Sequence, residues 1–293
     1  MTETRTFCAD LSRENDEPLA ATASRIDNWF LVEYRGLWTR DALPGSGLTD
    51  QVKQHLREQV ASVPHGRLLF VRRPDRRGSP RLLAFTAASR PGEIRVTRTE
   101  FETYEDLRGV ELTAGAEIGH PLFLVCTHGK HDRCCAKFGR PLYEAVREQV
   151  EDAWVWQTSH VGGDRFAGNL VVLPDGVYYG RVEPSDAWSV VEAALEHRVH
   201  LPRYRGRSCH GFAAQAAELA VREHTGLAGV EDIRVRSIQS QGEGWEAELE
   251  ADGVVYDVEV VVTEGEATHL TCSTDRLRRP RRYVAESLRA RGA

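Results

Sequence analysis

Two cysteines with eight residues between them, Cys126 and Cys135, followed by His-Val-Gly-Gly-Asp at 160–164, constrain this chain more than any other feature. The first motif, C-T-H-G-K-H-D-R-C-C, begins at the end of an apolar run, Pro121 to Cys126. The second, S-H-V-G-G-D-R-F-A-G-N, begins at the end of another, Ala153 to Thr158. Both motifs thus sit at the C-terminal ends of predicted strands, where α/β folds display functional groups. A loop of eight residues can fold back and deliver both sulfurs to one metal. Gly162 and Gly163 lack side chains, which permits a tight turn and close backbone approach to a cofactor. Cys126, Cys135, His160 and Asp164 supply ligand classes that suit a small iron–sulfur cluster. Zinc on Cys126, Cys135 and His160 is the structural alternative.

Composition excludes several partners. A net charge of −6 over 293 residues gives no electrostatic case for nucleic acid or an anionic membrane. Lysine occurs only at Lys53, Lys130 and Lys137, so the arginine excess reads as codon usage of a GC-rich genome. Met1 to Asp10 has no apolar signal core, and no apolar run reaches the length of a membrane span. A cytoplasmic location is expected, where thiols are reduced or metal-bound more often than paired in structural disulfides. Cys8, Cys209 and Cys272 have no partner at ligand spacing and read as small buried hydrophobes. Cys134 reads as a bystander or a substitute ligand.

Periodicity divides the chain into three units, 1–113, 114–205 and 206–293. In the first, a strand over Asn28 to Tyr34 precedes a helix over Leu48 to Val60. Strands over Arg67 to Arg72 and Arg81 to Thr86 follow, separated by a turn at 74–80. In the second, the strand ending at Cys126 leads to a helix over Gly139 to Val150 and the strand ending at Thr158. A hairpin around Pro174-Asp175-Gly176 and a helix over Ser185 to His197, with Ser185 as N-cap, complete it. That β-α-β-β-α order is thioredoxin-like. The fold class expected is α/β, two tandem thioredoxin-like halves plus a smaller C-terminal α+β unit. The last unit carries a helix over Gly211 to His224, three strands within 233–262 and a final helix over Tyr283 to Ala290.

The two motifs, with P-D-G-V-Y-Y-G-R after them and W-F-L-V-E-Y-R-G-L-W and R-G-R-S flanking them, resemble the sucrase/ferredoxin-like family. The resemblance covers roughly Cys8 to Ala220. It implies a thioredoxin-like ferredoxin whose members bind a 2Fe–2S cluster through two Cys and two His. Cys126, Cys135 and His160 match three of those ligands, and Asp164 stands where the family has its second His. Asp164 itself, or His128, His131, His200 or Cys134 in its place, is the fourth ligand to be sought. The alternative reading of Asp164 is a turn residue salt-bridged to Arg165.

The function expected is electron transfer to and from an unidentified redox partner protein, more a carrier than an enzyme. A cluster-free thioredoxin-fold scaffold and a thiol oxidoreductase are the competing classes. The second lacks the C-x-x-C that such chemistry uses. No paired carboxylates in a sugar-hydrolase context support the activity that the family's name suggests.

Overall fold

Strands with apolar residues on both faces fill the centre of one large sheet. The computed structural model describes residues 6–73, 81–109, 111 and 114–291, so the turn expected at 74–80 lies outside the described residues. A short helix, α1 (Cys8–Glu14), precedes β1 (Asn28–Glu33), α2 (Asp50–Ala61), β2 (Gly66–Arg72), β3 (Leu82–Arg90), β4 (Glu93–Phe101) and β5 (Ala116–Glu117). Thr49 caps α2, its hydroxyl accepting from the Val52 N–H, and Val52 and Leu56 bury themselves beside Phe30, Val32 and Phe70. Sequence reading missed α1 and β4. The alternation of E-I-R-V-T-R-T-E-F is half polar, as befits a strand near a sheet edge.

The second part contains β6 (Leu122–Cys126), α3 (Arg133–Arg147), β7 (Val155–Thr158), β8 (Leu170–Leu173), β9 (Val177–Tyr179), α4 (Ala187–Leu195) and β10 (Tyr204–Arg207). Helix α3 begins six residues before the expected Gly139. Gly139 and Pro141 read as breakers, yet Asp132 supplies an N-cap upstream, accepting from the Cys134 N–H at 2.8 Å. Before α4 runs a 3₁₀ turn, Pro184–Asp186, in which the Asp186 carboxylate accepts from the Glu183 N–H at 2.8 Å. Ser185 is therefore not the cap.

Ten strands form a mixed sheet in the order β10-β9-β8-β6-β7-β2-β1-β3-β4-β5. Strand β1 pairs parallel with β2 and antiparallel with β3; β6 pairs parallel with β7 and antiparallel with β8. The order second-first-third-fourth thus occurs twice, in mirror sequence. The seam is the antiparallel contact of β2 with β7, where Val71 faces Thr158. His160 follows that seam by two residues, so the junction of the two halves positions the second motif.

The C-terminal part is a separate four-stranded antiparallel sheet, β11 (Ile233–Gln241), β12 (Gly244–Ala251), β13 (Val254–Glu264) and β14 (Arg281–Arg291), covered by α5 (Phe212–Thr225). The final helix expected over Tyr283 to Ala290 is instead β14. Tyr283, Ala285 and Leu288 pack against the α5 cluster, but a register shift opposite Glu259/Val260 spaces the last two contacts three positions apart instead of two. A bulge of that kind turns a period of two into a spacing that mimics a helix. No helix among the described residues is long and apolar enough to cross a membrane.

Candidate metal centre

Strand alternation sends Leu122, Leu124 and Cys126 to one face of the sheet and Phe123 and Val125 to the other. The Cys126 N–H donates to the Asn169 carbonyl at 3.0 Å, tying the strand end to the second motif. Helix α3 then returns across the end of β6 at unusually short range. A Cβ added at Gly139 would lie 2.0 Å from the Cys126 carbonyl oxygen, so only glycine lets the helix come this close. One turn earlier, Cys135 sits in the first turn of α3, where the positive end of the helix dipole favours thiolate.

The His160–Asp164 loop is shaped by backbone freedom and by one arginine. Gly162 and Gly163 have φ of +100° and +79°, left-handed values that side chains rarely adopt. The buried Arg205 guanidinium donates to the Gly162 carbonyl at 3.1 Å, to Asn169 Oδ1 at 2.7 Å, and to Thr22 Oγ1 and O at 3.0 and 2.6 Å. Asn169 Nδ2 completes the brace by donating to the Gly163 carbonyl at 2.8 Å. A Cβ at Gly163 would meet Arg205 Nη2 at 2.5 Å. The R-G-R-S segment therefore acts on the second motif from about forty residues away.

These constraints converge. The sulfurs of Cys126 and Cys135 and a ring nitrogen of His160 lie within 4.8 Å of one another. Asp164 Oδ1 is 3.4 Å from Cys135 Sγ, which donates to it, and 2.9 Å from His160 Nδ1. His160 Nδ1 is buried, with the Asp164 carboxylate as its ion-pair partner. An imidazole paired to a carboxylate and grouped with two sulfurs supplies the donor classes that hold a metal. Arg165 takes Glu17 as its partner, at 2.8 Å, so Asp164 is not the salt-bridged turn residue of the alternative reading.

Electrostatics follow from the same contacts. The Cys135 S–H, and after it His160, hold the Cys126 thiol well below its ordinary value despite burial. Cys126 in turn, with burial, pushes Cys135 well up. Burial opposes charge on His160, but Asp164 and Cys126 outweigh it and raise its pKa to about 9. Burial likewise opposes charge on Asp164, and His160 outweighs it, holding the carboxyl below its usual range.

Of the candidate substitutes for Asp164, only His131 shares this group. Its ring stacks on His160 at 3.8 Å between centroids, and His131, His160 and Asp164 have ligand atoms within 4.8 Å of one another. Its Nδ1 donates to the Arg40 carbonyl at 3.1 Å, which leaves Nε2 for a metal. His128 is committed at both nitrogens: Nδ1 accepts from the His160 N–H at 3.2 Å and Nε2 donates to the Thr39 carbonyl at 2.7 Å. It is a brace for His160, and burial lowers its pKa toward the neutral ring that this role needs. His200 is elsewhere, with its N–H on the Tyr179 hydroxyl. Cys134, a candidate substitute ligand, turns away from Cys135 to join Cys8 and Cys272, which the sequence pattern marks only as small buried hydrophobes. Thr39, Arg40 and Arg67, which donates to the His160 carbonyl at 3.0 Å, come from the first half of the large sheet. A cleft of about 310 Å³ opens there onto His131 and His160.

A family model described as Sucrase/ferredoxin-like matches residues 19–206. Curated relatives include "Altered inheritance of mitochondria protein 32" of Meyerozyma guilliermondii, 35% identical over 101 residues, covering 31% of this chain and 36% of the relative. The protein of the same name from Debaryomyces hansenii is 31% identical over 100 residues, covering 31% and 37%. The chain thus spans little more than a third of the length of these relatives. Among solved structures, a thioredoxin-like [2Fe-2S] ferredoxin from Aquifex aeolicus matches 30% of this chain and 91% of its own, with 22% identity and a TM-score of 0.27.

Proposed function

This chain belongs to the sucrase/ferredoxin-like family, and from that premise we propose that it is a cytoplasmic electron carrier built on a 2Fe–2S cluster. Each half of the ten-stranded sheet is read as a thioredoxin-like half, residues 1–113 and 114–205, with 206–293 as an appended α+β unit. Cys126 and Cys135 would hold one iron, and His160 with Asp164 the other, His131 being the substitute within reach. When bound, the cluster supplies one-electron chemistry at a potential set by its ligands and their hydrogen bonds.

The observation that carries this reading is the convergence of two buried thiols on a His160 ring nitrogen, with the Asp164 carboxylate 2.9 Å from His160 Nδ1 and 3.4 Å from Cys135 Sγ. The chain's own residues then divide the work. Arg205 and Asn169 fix the glycine loop, and His128 fixes the His160 backbone. Helix α3 excludes water from both sulfurs. His160, its side chain about a fifth exposed, lines the cleft through which a redox partner protein would approach. Burial of both thiols argues against a thiol oxidoreductase, whose attacking sulfur needs access.

The compactness of the triad supports zinc as a second reading, since two sulfurs and an imidazole within 4.8 Å of one another also suit one tetrahedral ion. Anaerobically purified protein reduced with dithionite separates the two. A rhombic paramagnetic signal that disappears in Cys126→Ser supports the cluster. Colourless protein silent in both redox states, with zinc lost in Cys126→Ser, would assign the site to zinc and remove the electron-carrier reading.

A further inference from the structure

The group that Cys134 joins is assembled from three distant parts of the chain. Cys8 opens α1, Cys134 lies in the first turn of α3, and Cys272 lies in the connection between β13 and β14. Their sulfurs form a triangle with sides of 3.5 Å (Cys8 to Cys134), 3.3 Å (Cys134 to Cys272) and 3.6 Å (Cys272 to Cys8). The Asp132 carboxylate closes a fourth side, its oxygens 4.0 and 3.9 Å from Cys8 Sγ. Cys8, Asp132 and Cys134 are buried.

Ordinary packing does not explain the arrangement. Asp132 is buried, with no ion-pair partner among the described residues. It is instead surrounded by donors, accepting from Cys134 N–H at 2.8 Å, Thr271 Oγ1 at 2.7 Å and Cys272 N–H at 2.6 Å. Those bonds hold two of the three sulfurs in place around it. The Cys8 N–H donates to Cys272 Sγ at 3.4 Å, tying α1 to the β13–β14 connection. A disulfide would use two sulfurs and strand the third. Three sulfurs and a carboxylate meeting in one largely buried site form a donor set of the classes that bind a zinc-like cation.

The geometry points to a second metal site, separate from the cluster site, in which Cys8, Cys134 and Cys272 bind a zinc-class dication with Asp132 as fourth ligand. Thiolates at about 2.3 Å from a tetrahedral zinc stand about 3.8 Å apart, so the triangle needs to open by only a few tenths of an ångström. Ligands on three separate elements would let the ion fasten α1 and the β13–β14 connection to the first turn of α3. Asp132 would then serve twice, as helix cap and as ligand. The role is structural, since no coordination position is left for substrate.

Metal analysis of the whole chain, grown with zinc and purified anaerobically, tests this. About one zinc per chain is expected in wild type and in Cys126→Ser, where the cluster site is disabled, with loss of that zinc in Cys8→Ser and Cys272→Ser. Should either of those two variants fail to fold, wild-type and Cys126→Ser decide the matter: Co²⁺ taken up by metal-free Cys126→Ser should show thiolate-to-cobalt charge transfer and the visible bands of a tetrahedral ion. Wild-type protein without zinc, or zinc that vanishes in Cys126→Ser and persists in Cys272→Ser, would overturn the assignment. The cluster proposal stands or falls separately, on iron and sulfide.

Discussion

Cys134 and Cys135 are consecutive residues whose sulfurs serve opposite sites: Cys134 Sγ lies 3.3 Å from Cys272 Sγ, while Cys135 Sγ donates to Asp164 Oδ1 at 3.4 Å. A helix rotates successive side chains by about 100°, so neighbours at its first turn face different directions. One helix N-terminus, capped by Asp132, therefore presents one sulfur to each of two sites.

The identity of the fourth ligand sets the potential. Replacing two Cys by two His raises cluster potentials to about −150 to +300 mV, against about −400 mV for plant-type ferredoxins. A carboxylate is a hard anion that favours ferric iron, so the cluster with Asp164 should titrate between these ranges, and Asp164→His should move it upward. A wild-type potential above that of Asp164→His would contradict Asp164 as ligand.

Gly139→Ala ordinarily stabilises a helix by about 1 kcal/mol. Here the new methyl would lie 2.0 Å from the Cys126 carbonyl oxygen, a backbone atom that cannot swing aside. Net destabilisation of about 1 to 3 kcal/mol is expected, with reduced iron content, because α3 must lift off the end of β6. A higher urea midpoint for the variant would show that the approach is not tight.

Arg205→Lys keeps the charge and loses the fork that reaches Thr22, Gly162 and Asn169 together. Iron retention during gel filtration should fall well below wild type while the far-ultraviolet circular dichroism stays the same. Equal retention would mean that the glycine loop holds its shape unaided.

Away from both sites, Glu218 and Arg222 form a fully buried pair on α5 at 2.8 Å. Burial opposes charge on Glu218, but Arg222 outweighs it, with His210 and Arg207 assisting, and the carboxyl is held below its ordinary value. A depressed acid contributes stability above its unfolded pKa, and that contribution disappears as pH falls through the folded one. Denaturation at pH 7 and pH 4 should therefore show a loss on acidification. Arg222→Met leaves the charge unpaired, at a cost of about 3 to 5 kcal/mol near neutrality. With burial then the main influence, the variant should lose less stability than wild type on acidification; an unchanged pH slope would contradict this.

How much of this was legible depended on where the signal lay. Cys126, Cys135, His160 and Asp164 fall within 39 residues, at the ends of adjacent strands, so spacing and strand pattern brought them together on paper. The start of α3 was hidden because Gly139 and Pro141 look like breakers; the Asp132 cap two residues before Cys134 was the available clue. Strand β14 was hidden by its bulge. Cys8 and Cys272 could not be linked at all, since ligands 264 residues apart have no spacing signature and meet only through the packing of α1 on the second motif and of the β13–β14 connection on Asp132. His131 was already a candidate, yet its stack on His160 depends on the Arg40 carbonyl, which belongs to the other half of the sheet.

The most direct measurement is the iron and acid-labile sulfide content of anaerobically prepared wild-type protein, with Asp164→His beside it. About two irons and two sulfides per chain are expected in both, as a 2Fe–2S core requires. Neither element in wild type, even after anaerobic reconstitution, would contradict the electron-carrier account at its root.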